Sequence, residues 1–261
     1  MELGRFFKLS GTTVFLLAIA AIALAVTFTL LYSSRADALT ELPPAYLDAV
    51  EDTKIAEPNE VRRNLTPIVP SNDNLQWEGE PGKSRVLVAS WRREPYKLEE
   101  MTSDRELWVT VVPELKNFCI GYKSTGVDGE SLSRRLEQLL GLPPNNGYDY
   151  VVEIWVKPED LFRPSPDPEI SDRESEIDFP LGAFISVTEE HKKWFEAKKE
   201  SSYPEEPIND QGWVVAYPWT RLGYTYDWGN PRTDMGLSEF VIKKGAEIAI
   251  KSVSMTNDYC R

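Results

Sequence analysis

The chain has 261 residues, with 42 Asp and Glu against 29 Lys and Arg, for a formal net charge of −13 at pH 7. That balance argues against nucleic acid as a ligand, because binding a polyanion relies on a Lys/Arg surface that displaces counterions; it also disfavours lying flat on anionic lipid. Two cysteines and one histidine, with none of the short spacings that zinc ligands use, argue against a metal centre, and no cofactor is expected.

Val14 to Leu31 reads VFLLAIAAIALAVTFTLL without a charge. Counted from Thr12 to Tyr32, a helix of this length reaches about 31 Å, the thickness of a bilayer hydrocarbon core. Its eleven Leu, Ile, Val and Phe residues favour insertion by about 5 kcal/mol. Arg5 and Lys8 precede the run and Arg35 follows it, so the positive-inside rule keeps the N-terminus cytoplasmic. The expected order is a cytoplasmic tail (1–10), a single-pass transmembrane signal anchor (11–32) and an extracytoplasmic remainder, periplasmic or extracellular. A signal peptide cleaved after Ala38 is the alternative, since Ala36-Asp37-Ala38 supplies an A-x-A pattern, although cleavable apolar regions are shorter.

Residues 33–82 read as an acidic, proline-rich stalk. Pro43, Pro44, Pro58, Pro67, Pro70 and Pro81 interrupt it, and acids from Glu41 to Glu60 oppose collapse. A short helix fits Leu42 to Val50, and the apolar NLTPIVP segment from Asn64 approaches the folded domain.

Residues 83–261 read as one exported globular α+β domain. Arg85–Trp91, Leu107–Val112, Tyr150–Val156 and GWVVAY from Gly212 are short runs rich in β-branched and aromatic residues, the composition of strands. EFVIKKGAEIAIKSV, from Glu239, predicts a hairpin about Lys243-Lys244-Gly245, with Ile248 and Ile250 on the dry face of its second strand. Leu132, Leu136, Leu139 and Leu140 predict a helix capped at Ser131 and ended by Gly141. A second, from Thr188, carries acids first and lysines last, which suits the helix dipole, and with little more than Trp194 and Phe195 to bury it reads as a surface helix. Strands without a helix between each pair predict one mixed, largely antiparallel sheet with two helices.

Three groups of residues could carry chemistry. Cys119 and Cys260 are a candidate disulfide in an oxidising compartment, closing a loop worth about 5 kcal/mol at most. The alternatives are two free thiols, since no spacing rule tests a pair so far apart, and Cys119 as a nucleophile with His191, the single histidine, as its base. The acidic stretch Arg163–Pro180, with Asp167, Glu169, Asp172, Glu174, Glu176 and Asp178, reads as a solvated, proline-stiffened loop. It lacks the glycine and closing glutamate of a calcium-binding EF-hand loop.

Tyr217, Trp219, Arg221, Tyr224, Tyr226, Asp227 and Trp228 form the third group and the candidate ligand-binding set. Aromatic faces stack on sugars or partner side chains while polar neighbours orient the ligand; the same residues also suit a core and a turn. No nucleophile elbow, phosphate loop or dinucleotide fingerprint occurs, and no catalytic residue is assigned. The expected function is non-catalytic binding of an envelope protein or glycan partner. The alternatives are a membrane-tethered hydrolase using paired carboxylates or Cys119, and a structural subunit of an envelope complex.

Overall fold

A computed structural model describes residues 42–126, 129–180 and 186–261. The expected tail and anchor, residues 1–32, and the Ala38 cleavage position lie outside the described residues. Among those described, no helix is long and apolar enough to cross a membrane. In chain order the elements are α1 (Pro44–Asp52), β1 (Val86–Arg92), β2 (Glu100–Thr102), β3 (Leu107–Val111), α2 (Val112–Lys123), α3 (Gly129–Leu139) and β4 (Tyr150–Val156). There follow β5 (Leu161–Phe162), α4 (Glu189–Ser202), β6 (Tyr224–Tyr226), β7 (Met235–Ser238), β8 (Phe240–Ile242), β9 (Glu247–Met255) and α5 (Thr256–Tyr259).

Seven strands form one sheet in the order β2-β9-β4-β1-β3-β8-β5, and β6 with β7 form a separate ribbon. The pairings within the seven-stranded sheet are antiparallel, so the fold is α+β with an antiparallel rather than mixed sheet. The described residues hold five α-helices: the two expected in the domain, the short one expected at Leu42 to Val50, which runs Pro44–Asp52, and two more, α2 and α5. The largest addition, α2, starts where the apolar Leu107–Val112 run ends, with Pro113 in its first turn, where a missing N–H costs nothing. It buries only Val112, Leu115 and Cys119, too thin a stripe to stand out in sequence. The leucine helix begins at Gly129, two residues before the expected cap.

The predicted hairpin does not form. β8 pairs with β3 and β5, whereas β9 pairs with β2 and β4. The turn itself is present: Ala246 N–H donates to Lys243 O at 3.2 Å, and Gly245 takes φ 87°. Such a turn holds Ile242 and Glu247 within about 15 Å, while the four strand spacings from β8 to β9 would total about 19 Å in a flat sheet. The sheet therefore curls, and the turn bridges its two sides. GWVVAY forms no strand either; flanked by Pro207 and Pro218, it folds back so that Val215 N–H donates to Pro207 O at 2.9 Å.

The curl separates two cores. Val86 and Val88 of β1 point inward with Ile154, Val156, Phe240, Ile242, Ile248 and Ile250. Leu87, Ala89 and Trp91 face outward beneath Leu115, Leu132, Leu136 and Leu139 of the helices. Burial on both faces explains why β1 reads as a continuous apolar run. In the helical layer Cys119 and Cys260 form a disulfide with Cα atoms 5.2 Å apart, tying α2 to the chain's last turn.

Residues 42–82, assigned by sequence to the stalk, lie against this body. Tyr46 is fully buried with Ala49, Val50 and Trp228, and its hydroxyl donates to Ala216 O at 2.8 Å. Farther on, Leu65 N–H donates to Arg173 O and Ile68 N–H to Ile170 O. The prolines that suggested a spacer open short helices and turns, Pro44 in the first turn of α1 and Pro58 at the start of a 3-10 turn, and Leu65, Ile68 and Leu75 are buried against the domain.

Candidate functional site

The site arises from a split in the sheet. β1 and β3 pair at Val88↔Val111 and Ala89↔Thr110, and toward its start β3 is paired instead with β8, through Leu107, Trp108 and Val109. The diverging strands leave a wedge, roofed by α4 and the loop from Trp213 to Tyr226, that encloses a cavity of about 650 Å³. This volume lies within the range of small-ligand sites.

Strand alternation aims the lining. Leu107 and Val109 enter the inner core, so Trp108 and Thr110 face the cavity. On α4 the i, i+4, i+8 positions are Trp194, Lys198 and Ser202, of which the last two line the cavity. Tyr217 N–H donates to Ser202 O at 3.0 Å and the Tyr203 hydroxyl donates to Trp219 O, which fastens the roof loop to α4. The indoles of Trp108 and Trp219 meet edge to face at 6.0 Å, with Trp194 behind them at 6.4 and 6.0 Å. Trp213 and Tyr217 are 56 % and 36 % exposed and also line the cavity.

Polar groups interrupt this aromatic wall. The Lys198 ammonium lies 5.1 Å from the centre of the Trp108 ring. Burial lowers its pKa, partly offset by Glu239 and Glu106. Glu239 retains some accessible surface and lines the cavity, yet protein surrounds its carboxyl; that desolvation pushes it up to about 8 against the opposing pull of Lys198. The shift favours the neutral carboxyl, the form that can donate a hydrogen bond. Thr110 Oγ1, Ser202 Oγ, Trp219 Nε1 and Arg92 Nε are buried without a hydrogen-bond partner among the described residues, and all four residues line the cavity. Buried polar atoms are seldom left so, and a polar ligand in the cavity could supply partners for those that face it.

Glu239 gives the fold a testable pH dependence. Its folded pKa, about 8, exceeds the ordinary 4.5, so the folded chain binds more protons than the unfolded chain across that interval. The associated stability is full below about pH 4.5 and is lost as pH rises through 8. Between pH 7 and 8.5 His191, whose pKa burial lowers from 6.5, is already neutral, while Glu176, pushed up to about 7, adds to the slope at the lower end and is retained in Glu239→Gln. The melting temperature should fall across that window, and Glu239→Gln should flatten the fall; an unchanged slope in the variant would contradict the assignment.

Of the sequence candidates, Tyr217, Trp219, Tyr224 and Tyr226 line the cavity. The hydroxyls of Tyr224 and Tyr226 are turned to Glu60 O and Asp52 Oδ2. The other three serve packing. Arg221 is buried at φ 62° and donates to Thr53 O at 2.7 Å. Asp227 is buried and accepts two hydrogen bonds from Arg135, one of them at 2.8 Å. Trp228 packs edge-on to Tyr46 at 5.6 Å and donates from Nε1 to Leu142 O at 3.1 Å. Trp108, Trp213, Lys198, Ser202 and Glu239 join the site unannounced.

The remaining candidates are engaged elsewhere. The Cys119 sulfur is in the disulfide, so it is not a free nucleophile, and His191 Nε2 lies 2.8 Å from Ser165 O. The acidic stretch is packed rather than solvated. Arg163, with no exposed surface, donates from Nε to Glu169 O at 3.0 Å and from Nη2 to Asp172 O at 3.1 Å, and so folds the loop around itself. Among the described residues, the one carboxylate group close enough to share an ion is Asp52, Glu60 and Asp234. There Asp234 pairs with Arg62 at 2.7 Å and Asp52 accepts from Tyr226. No protein-family model matches the chain, and no curated protein or solved structure matches it.

Proposed function

We propose that this chain is a membrane-anchored, extracytoplasmic binding domain whose aromatic cavity takes up a glycan segment. The observation that carries the reading is the coincidence of an indole and phenol wall with buried polar atoms, on residues that line the cavity, that have no partner among the described residues. Flat rings stack on sugar faces and convergent polar atoms orient hydroxyls. A concave site of this kind favours a glycan over the flat surface of a folded protein. The uncharged run from Val14 to Leu31 supports the anchor, and the disulfide suits an oxidising compartment.

The test uses the full chain in detergent, titrated with an oligosaccharide panel while tryptophan fluorescence is followed. Trp213→Ala and Tyr217→Ala alter exposed rings at the cavity mouth. Each should weaken binding roughly tenfold, about 1.4 kcal/mol, at an unchanged melting temperature. Failure of every oligosaccharide to bind would overturn the reading.

One observation favours a second reading, glycoside hydrolysis. A carboxyl raised to about 8, Glu239, shares the cavity with Glu106, and such enzymes pair a protonated acid with an ionised carboxylate. Mass spectrometry of the same oligosaccharides after incubation separates the two: shortened products that disappear in Glu239→Gln support hydrolysis, and unchanged oligosaccharides support binding alone.

A further inference from the structure

Among the described lysines, Lys116, Lys123, Lys192, Lys198 and Lys199 are half-buried. Four of them have a counterpart: Lys116 donates to Tyr259 O at 2.6 Å, Lys123 donates to Asn257 O, Lys192 pairs with Glu189 at 2.7 Å and Lys199 with Glu196 at 3.8 Å. The Lys198 ammonium has neither an ion pair nor a hydrogen bond among the described residues; it faces the Trp108 ring in the cavity. Desolvating a charge without a counter-ion is costly, and an indole face recovers only part of that cost. A lysine kept there has a use for the exposed positive charge.

We infer that the ligand of this cavity carries a carboxylate, which Lys198 receives at the edge of the Trp108–Trp219 wall, so that the site selects acidic over neutral sugars. The inference rests on the glycan reading above and narrows it to uronic-acid-type saccharides. Glu239, the acid that also lines the cavity, makes no ion pair with Lys198 among the described residues, and desolvation pushes its carboxyl up to about 8, which favours the neutral form. Glu106 is exposed, so water screens its charge. Arg92 also borders the cavity, but its guanidinium lies over the Tyr96 ring at 4.1 Å, which leaves Lys198 as the cation placed on the aromatic wall. In a chain of net charge −13 an acidic ligand gains nothing from the overall field, so local cations have to supply its affinity.

The experiment titrates the full chain in detergent with uronic-acid tri- and tetrasaccharides, each paired with its carboxyl-reduced neutral form. The acidic member should bind at least tenfold tighter than its neutral twin. Lys198→Met should abolish that ratio, and Lys198→Arg should retain most of it. Equal affinity of the two forms for the wild-type chain would overturn the charge inference and leave the glycan reading intact. Binding of neither form would overturn both. Discrimination that survives in Lys198→Met would place the carboxylate elsewhere and overturn the assignment to Lys198. The wild-type comparison stands alone should Lys198→Met fail to fold.

Discussion

Replacing Arg163 with methionine should lower the unfolding free energy by about 3–5 kcal/mol, the usual cost of removing one partner from a buried charge group. Arg163 follows Phe162, the last residue of β5, with no exposed surface, and its guanidinium lies 5.3 Å from the Phe240 ring. Its Nη2 is 3.6 Å from the Asp172 carboxylate, and Asp167 beside it is also buried. The positive charge opposes what burial and these two acids do to Glu176, whose carboxyl is already pushed up to about 7. Methionine keeps the apolar stem but removes the guanidinium from a site with no exposed surface, so the loss combines the charge, its donors and the space they filled. Gly223 crosses the stem so closely, at φ 74°, that a Cβ there would lie 2.6 Å from Arg163 Cδ, which leaves no room for the stem to withdraw. Urea unfolding at pH 7 measures the effect. A shift below about 1 kcal/mol would mean that the loop does not depend on this charge.

Breaking the Cys119–Cys260 link is the second large effect. The bridged residues are 141 apart in sequence, and in the chain-entropy treatment opening such a loop costs about 5 kcal/mol, with 2–5 kcal/mol the usual measured range. The link also docks the final turn: Trp91 Nε1 donates to Thr256 Oγ1 at 2.9 Å, and Lys116 reaches Tyr259 O. The Cys119→Ala/Cys260→Ala protein should therefore unfold at a lower urea midpoint by 2–5 kcal/mol, and excess reductant should bring the wild-type chain to the same place. Identical midpoints with and without reductant would contradict the role given to the bridge.

What the sequence conveyed depended on whether one element or several supply the signal. β4 is a single apolar run and α3 a single leucine stripe, so both were legible from their own residues. The β8–β9 hairpin looked equally sound, because turn chemistry at Gly245 is local while strand pairing is not. The curl that sends β9 to β4 instead of β8 is set by the whole sheet. The candidate site divides the same way. Tyr217 and Trp219 announce themselves by clustering, whereas Trp108 was discoverable only by noticing that it alternates with Leu107 and Val109. Lys198 was discoverable only by its i+4 spacing from Trp194. Glu239 stands alone between two apolar runs, and nothing in the sequence distinguishes it from other surface acids. Arg221, Asp227 and Trp228 share the composition of a recognition surface but spend their polar groups on Thr53, Arg135 and Leu142.

The central claim, that the split between β1 and β3 is a ligand site, is tested most directly by the indole N–H spectrum of the ¹⁵N-labelled chain during oligosaccharide titration. Trp108, Trp213 and Trp219 line the cavity, while Trp77 packs on the inner core and Trp155 lies beside Lys251. The signals of the first three should move together with ligand concentration and those of Trp77 and Trp155 should stay in place. Shifts confined to Trp77 and Trp155, or no shift at saturating oligosaccharide, would contradict the account.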